Sequence, residues 1–409
     1  WPPLATTQAA TDLCSLRDES QHRLGSSIRM AIAAQEQPTR FDMPTWLRSA
    51  LVFGLIYTFL VGVSALEKGI KIMGEDTQEK LFSSVDNPIA GLCVGILGTV
   101  LVQSSSASTS IIVGLVATGG ISVEAAIPMI MGANIGTTVT NTLVSLGHVR
   151  QSSEFKRAFA AATVHDFFNV MAVALLLPLE LLTGVVSKTA TWMSDRLVGT
   201  AGSEWKSPVK TWVKKPVEWI VDIWEAVGLN GNVLGTTVVL TGLVIVLLSL
   251  TFITKNMREL VADRVERSVN NVLGKGSGSI AMLLGLAITV AVQSSSITTS
   301  ILIPLAAAGV LSLRNAYPVT LGANVGTTIT ALLAALAASV PEALTVGLAH
   351  TTFNVMGIAL LYVPRFIRYV PVQLAEGLAE VAFRRPAWAV VYVMTAFIVL
   401  PLIGVGIFG

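Results

Sequence analysis

Gln103-Ser104-Ser105-Ser106 sets four consecutive polar residues inside an apolar segment, with residues 88–101 before it and 107–118 after it. Arms of about 12 to 14 residues fall short of the roughly 20 that a bilayer-spanning helix needs, and they suit a re-entrant hairpin that returns to the side it came from. The same tetrapeptide recurs as Gln293-Ser294-Ser295-Ser296 in an equally apolar setting. Polar groups at membrane depth are costly, so two matched clusters predict one shared polar site built from both halves of the chain.

Composition agrees with a lipid setting. The 409 residues are 53% hydrophobic and 13% charged, where soluble domains carry about 25% charged residues. Apolar runs near 47–67, 122–147, 155–182, 232–253, 341–364 and 387–408 predict spanning helices, hence an all-α, polytopic transmembrane protein. A formal net charge of +2, spread over short loops, excludes a nucleic-acid surface. Cys14 and Cys93 are too few for a disulfide framework or a thiolate metal site, and no His, Cys and carboxylate cluster has transition-metal spacing. Residues 1–46 lack the apolar core of a secretory signal and read as a loose polar tail.

The repetition extends well beyond the tetrapeptide. An offset of 190 residues carries Thr109 onto Thr299, Pro128 onto Pro318, Thr140 onto Thr330, and Gly132-Ala133-Asn134-Ile135-Gly136-Thr137-Thr138 onto Gly322-Ala323-Asn324-Val325-Gly326-Thr327-Thr328. An offset of 185 then pairs His165 with His350 and Asn169 with Asn354. Each copy is predicted to hold a spanning helix, a connector, a hairpin, a Gly-Asn-Gly helix that is locally broken, and a helix bearing the His and Asn. Three crossings per copy is an odd number, so the copies are expected in inverted topology. The boundaries are then a tail over 1–46, repeat 1 over 47–182, an outer connector over 183–231, repeat 2 over 232–364, and a basic loop with a last spanning helix over 365–409. Arg150, Lys156 and Arg157, Lys255 to Lys275, and Arg365 to Arg385 fall in predicted inner loops, as the excess of positive charge on the cytoplasmic side requires. Trp192, Trp205, Trp212, Trp219 and Trp224 give the connector the look of short amphipathic helices at the interface, with a soluble subdomain as the alternative.

Each motif has two readings. At a hairpin tip, Gln103 to Ser106 and Gln293 to Ser296 offer hydroxyls, amides and unpaired N–H groups, and the half-helix that follows turns its positive end to the same spot, which suits an anion. The alternative is serine bonding between packed helices. Gly132-x-x-x-Gly136 and Gly322-x-x-x-Gly326 match the small-residue packing motif. Asn134, Asn324, Thr137, Thr138, Thr327 and Thr328 favour instead an unwound helix whose oxygens, with those of Thr109 and Thr299, coordinate sodium. Asp166 is an intramembrane carboxylate whose counterpart is Thr351. It is either a sodium ligand or a group coupling charge to movement, or else it makes a structural bond to His165 or a neighbouring helix. Asn169 and Asn354 read as braces, and His165 and His350 as packing residues. The combination predicts an ion-coupled solute carrier.

The paired Gln-Ser-Ser-Ser motifs, the blocks at 128–138 and 318–328, and Val164-His165-Asp166-Phe167-Phe168-Asn169 closely resemble the type II sodium-phosphate cotransporter family, over roughly residues 45–365. The resemblance implies sodium-driven symport of inorganic phosphate across the cell membrane, the cytoplasmic membrane in a bacterium. It also implies homodimers and an elevator-like alternating-access cycle, with Na+ as the co-transported ion and no organic cofactor. By position, Gln103 to Ser106 and Gln293 to Ser296 would contact phosphate or sodium, with Asn134, Thr137, Asn324 and Thr327 nearby. A sodium-coupled carboxylate or amino-acid carrier of similar design is the alternative, since half-helix ends also bind carboxylates. An ion channel is a further class. An enzyme is not expected, since the serine triplets are duplicated without an assigned base and neither a nucleophile elbow nor a nucleotide motif is present.

Overall fold

The computed structural model describes residues 43–74, 87–149, 152–198, 208–273, 278–338 and 340–409. Residues 1–42 of the polar tail, most of the connector after the first helix, Arg150, Trp205 and Lys275 lie outside them, and the first helix already begins within the expected tail, at Thr45. The chain divides into two units, Trp1–Leu47 and Arg48–Gly409, and the second holds the architecture that follows.

Every element among the described residues is helical. In order these are α1 (Thr45–Met73), α2 (Pro88–Val102), α3 (Ser105–Ala117), α4 (Val123–Gly136), α5 (Val139–Leu146), α6 (Ser152–Thr183), α7 (Val185–Val198) and α8 (Pro208–Ala226). They are followed by α9 (Gly231–Leu273), α10 (Gly278–Val292), α11 (Ser295–Ala307), α12 (Leu313–Ala338), α13 (Pro341–Leu361) and α14 (Val370–Arg384). The chain closes with α15 (Ala387–Met394), a π-helical turn (Thr395–Val399) and α16 (Leu400–Phe408). Among the described residues, six segments are long and apolar enough to cross a membrane: α1, α6, the first part of α9, α12, α13, and α15 through α16. This is a multi-pass helical membrane protein.

Both hairpins form, α2/α3 and α10/α11, with first arms of 15 residues and second arms of 13. Each turns at its glutamine. Gln103 and Gln293 sit at φ 56° and 55°, the left-handed region, which disfavours any residue with a Cβ by about 1–2 kcal/mol. Ser104 and Ser294 then cap the second arms, accepting from the backbone N–H of Ala107 and Ile297, as serine at an N-cap does.

The glycines explain how tightly each hairpin is held. A Cβ on Gly132 would overlap the Leu92 carbonyl oxygen, and one on Gly95 that of Met129. In the second copy Gly322 meets Met282 and Gly285 meets Val319 in the same way. The first arm of each hairpin therefore lies backbone to backbone on the Gly-Asn-Gly helix of its own copy, the close approach that small residues permit. The second arms cross over: α3 packs on α12 and α13, and α11 on α5 and α6, so the two copies interlock.

This corrects two expectations. The Gly-Asn-Gly segments are helical throughout, because their glycines are engaged in packing. In copy 1 the run 122–147 is divided after the motif, at Thr137 and Thr138, where the Thr138 N–H tightens onto Ile135 O at 3.3 Å. In copy 2 α12 runs unbroken to Ala338. Past the break, copy 1 has Asn141 and Thr142 where copy 2 has Ala331 and Leu332, and alanine and leucine are the better helix formers.

Two helices, α7 and α8, form in the connector, with Trp192, Trp212 and Trp219 exposed. Where a basic loop was expected, residues 370–384 form α14, which buries Pro371, Val372, Ala375, Ala379 and Ala382 and packs along α6. Arg368 caps α13 through the carbonyls of Tyr362 and Val363.

Candidate functional site

The two hairpin tips are built alike. Gln103 Nε2 donates to Val100 O at 2.6 Å and its Oε1 accepts from Thr140 at 3.0 Å. Gln293 repeats this with Val290 at 2.7 Å and Thr330 at 2.9 Å. The glutamine amides thus lock each turn to the Gly-Asn-Gly side of its own copy. Ser105 and Ser295 open α3 and α11, where first-turn N–H groups have no intrahelical acceptor. Both are buried, as is Ser106.

The tips also meet. Ser106 Oγ lies 3.5 Å from the Gln293 carbonyl oxygen and 3.3 Å from Thr330 Oγ1. Ser300 Oγ of α11 donates to Asn141 Oδ1 of α5 at 3.2 Å, a second link across the copies. A crevice of about 330 Å³ reaches Gln293, lined by Phe53 and Ile56 of α1, Ile253 of α9 and Val290 of α10.

Beneath the tips lies a crossed, fully buried network. His165 Nε2 bonds Asn324 Oδ1, and His350 Nε2 faces Asn134 Oδ1 at 3.4 Å, so each copy's histidine pairs with the other's asparagine. Asn169 ties both together, donating to Asn134 O at 2.8 Å and accepting from Asn324 Nδ2 at 2.7 Å. Asn134 and Asn324 are therefore turned to the histidines, in a bracing position. The expected threonines all bond back along their own helices: Thr109 to Ser105 O, Thr137 to Ala133 O, Thr138 to Ile135 O, and Thr299, Thr327 and Thr328 likewise. Such a bond uses the hydroxyl proton and leaves oxygen lone pairs available.

Asp166 is fully buried. Its Oδ2 accepts from Tyr392 Oη at 2.9 Å and from Thr142 Oγ1 at 3.4 Å, while Oδ1 has no hydrogen-bond partner. Thr142 stands on α5, just past the break, and Asn141 beside it reaches the second hairpin. Thr140, Thr330, Asn141, Thr142 and Tyr392 were not assigned roles from sequence. The 190-residue match of Thr140 to Thr330 was a usable signal for the first two. Tyr392 had none, since the last helix has no repeat counterpart.

The profile of the Na+/Pi-cotransporter family matches residues 58–202 and 245–378, which include both hairpins, both Gly-Asn-Gly helices and both His-Asn helices. The chain belongs to the Na+/Pi-cotransporter family. Members of that family are transporters, and the chain is not an enzyme. Sodium-dependent phosphate transport protein 2A of Rattus norvegicus is 33% identical over 88% of this chain and 68% of its own length. Protein 2B of Homo sapiens is 32% identical, over 87% and 64%, and protein 2A of Ovis aries 34%, over 87% and 67%. The chain thus spans about two thirds of the length of these relatives. No solved structure matches it.

Proposed function

We propose that this chain is a sodium-coupled symporter of inorganic phosphate, with phosphate held between the two hairpin tips. The observation that carries the reading is the meeting of Ser106 with Gln293 and Thr330, which brings the N-termini of α3 and α11 to one place. Aligned peptide dipoles give each helix start roughly half a positive charge, so two supply about +1. That falls short of a divalent hydrogen phosphate, and sodium ions bound alongside make up the difference. Ser104 to Ser106 and Ser294 to Ser296 are the phosphate-binding segments, with Gln103 and Gln293 fixing the turns.

One sodium ion is assigned to Asp166, whose Oδ1 is buried and unpartnered while its Oδ2 accepts from Thr142 and Tyr392. The oxygens of Thr109, Thr137, Thr299, Thr327 and Thr328 are candidates for further ligands, hard donors of the kind sodium takes. The two copies are inverted with respect to the membrane. The interlocked hairpins move as a body in an elevator-like alternating-access cycle, and the protein works as a homodimer in the cell membrane. The names of the relatives support sodium and phosphate as the transported pair.

The test is uptake of radiolabelled phosphate into proteoliposomes with and without a sodium gradient. Uptake is expected to need sodium and to resist competition by succinate and aspartate. Ser105→Ala and Ser295→Ala are each expected to raise the phosphate half-saturation roughly tenfold, the order set by one hydrogen bond to a charged ligand. Unchanged kinetics in both variants would remove the hairpin tips from the site, and inhibition by dicarboxylates would reassign the substrate.

A further inference from the structure

Tyr392 stands at the end of α15, outside both segments that the family profile matches. Its hydroxyl is 2.9 Å from Asp166 Oδ2. Its ring is seated among three phenylalanines, with centroids 6.5 Å from Phe159, 6.5 Å from Phe167 and 6.0 Å from Phe397. Phe397, in the π-helical turn that begins three residues later, packs on Tyr392 and is itself buried. Such turns are frequent at functional sites.

The bond is not needed to hold the fold. The second copy places Thr351 where Asp166 stands, its hydroxyl bonded to Gly347 O of its own helix, and the same architecture forms without a carboxylate. A carboxylate kept only for packing would also be an expensive choice, because its second oxygen is buried without a partner. We infer that Tyr392 is a positioning residue for the coupling cation: by holding Oδ2 it fixes the carboxylate so that Oδ1 serves as the cation ligand. This rests on the sodium reading of Asp166, and it extends the transport site to the last helix.

The experiment compares wild type, Asp166→Asn and Tyr392→Phe in proteoliposomes, reading phosphate uptake against graded sodium. Tyr392→Phe keeps the ring and its three aromatic contacts and removes only the hydroxyl. It is expected to raise the sodium half-saturation about tenfold, with the maximal rate and the phosphate half-saturation at saturating sodium preserved. A sodium curve like that of wild type, while Asp166→Asn shifts it, would overturn the role of Tyr392 alone. A lowered maximal rate with no shift in sodium dependence would make Tyr392 a packing residue and also overturn it. An unchanged sodium curve in Asp166→Asn would remove the cation reading and the inference with it. Thermal stabilisation of the purified protein by sodium chloride, against choline chloride, supplies a readout that needs no transport. Sodium is expected to raise the melting temperature of Tyr392→Phe by less than that of wild type, and equal shifts would count against the inference.

Discussion

The two copies of the repeat agree closely until the residues after the Gly-Asn-Gly helix, and there they part. Both have a glutamine in a left-handed turn, a serine cap, backbone-to-backbone glycine packing and a histidine crossed onto the other copy's asparagine. Copy 1 alone then breaks its helix at Thr137 and Thr138 and sets Asp166 against Thr142 and Tyr392. Copy 2 runs straight through with Ala331 and Leu332, and carries Thr351. The shared features build a cradle, and the unshared ones place a single ionisable group on one side of it. On the proposed reading, a duplicated scaffold binds a nearly symmetric anion between its tips while its charge coupling is one-sided.

The sharpest way to break that comparison is to replace the two unmatched residues in turn. Asp166→Asn removes a charge that, at 4 Å and an effective dielectric near 20, attracts a cation by about 4 kcal/mol, so the sodium half-saturation of phosphate uptake should rise by nearly three orders of magnitude. Thr351→Val should move it by less than about twofold, since that hydroxyl is bonded within its own helix. Equal losses at the two positions would mean that both copies take part in coupling.

The shared half of the comparison predicts equality instead. Gly132→Ala and Gly322→Ala each drive a methyl group into a backbone carbonyl of the facing hairpin arm, where no side-chain rotation gives relief. Overpacking of this kind costs about 1–3 kcal/mol, read as a lower melting temperature of the purified protein, and the two losses should match. A loss confined to one copy would show that the interlock is not symmetric in energy even though it is in geometry.

The parts of this fold that were legible in the sequence are those with a local or repeated signature. The short apolar arms around Gln103 and Gln293 marked the hairpins, and the 190-residue offset marked the duplication. Gly132-x-x-x-Gly136 permitted two readings, and packing prevailed over unwinding because the glycine faces lie against the carbonyls of the hairpin arm. The crossed pairing of His165 with Asn324 spans 159 residues and had no local sign beyond the repetition of both residue types. Helix α14 was hidden because its buried face, Val372, Ala375, Ala379 and Ala382, is made of small residues in a segment flanked by arginines, although their spacing of three and four is helical. Tyr392 could not be placed from sequence, since a tyrosine in an apolar last helix has no periodic partner that would reveal Asp166.

A smaller asymmetry lies at the start of α6. Lys156 donates to Glu380 Oε2 of α14 at 2.5 Å, and Arg384 Nε donates to Oε1 at 3.0 Å. The equivalent position in copy 2 is Pro341, with no charge to offer. The hydrogen bond from Lys156, then that from Arg384, holds the Glu380 carboxyl below its ordinary value. A depressed carboxyl adds stability that is fully present above the unfolded glutamate value, near 4.3, and is lost as pH falls through the folded one. The partners are well exposed, at 44% and 37% for Lys156 and Glu380, so solvent screening keeps the contribution small. Wild type should therefore melt slightly above Glu380→Gln at pH 7, and the two curves should converge as the pH drops below about 4. A gap that persisted in acid would assign the effect to how glutamine packs between α6 and α14, and the ion pair would then have no part in tethering copy 1.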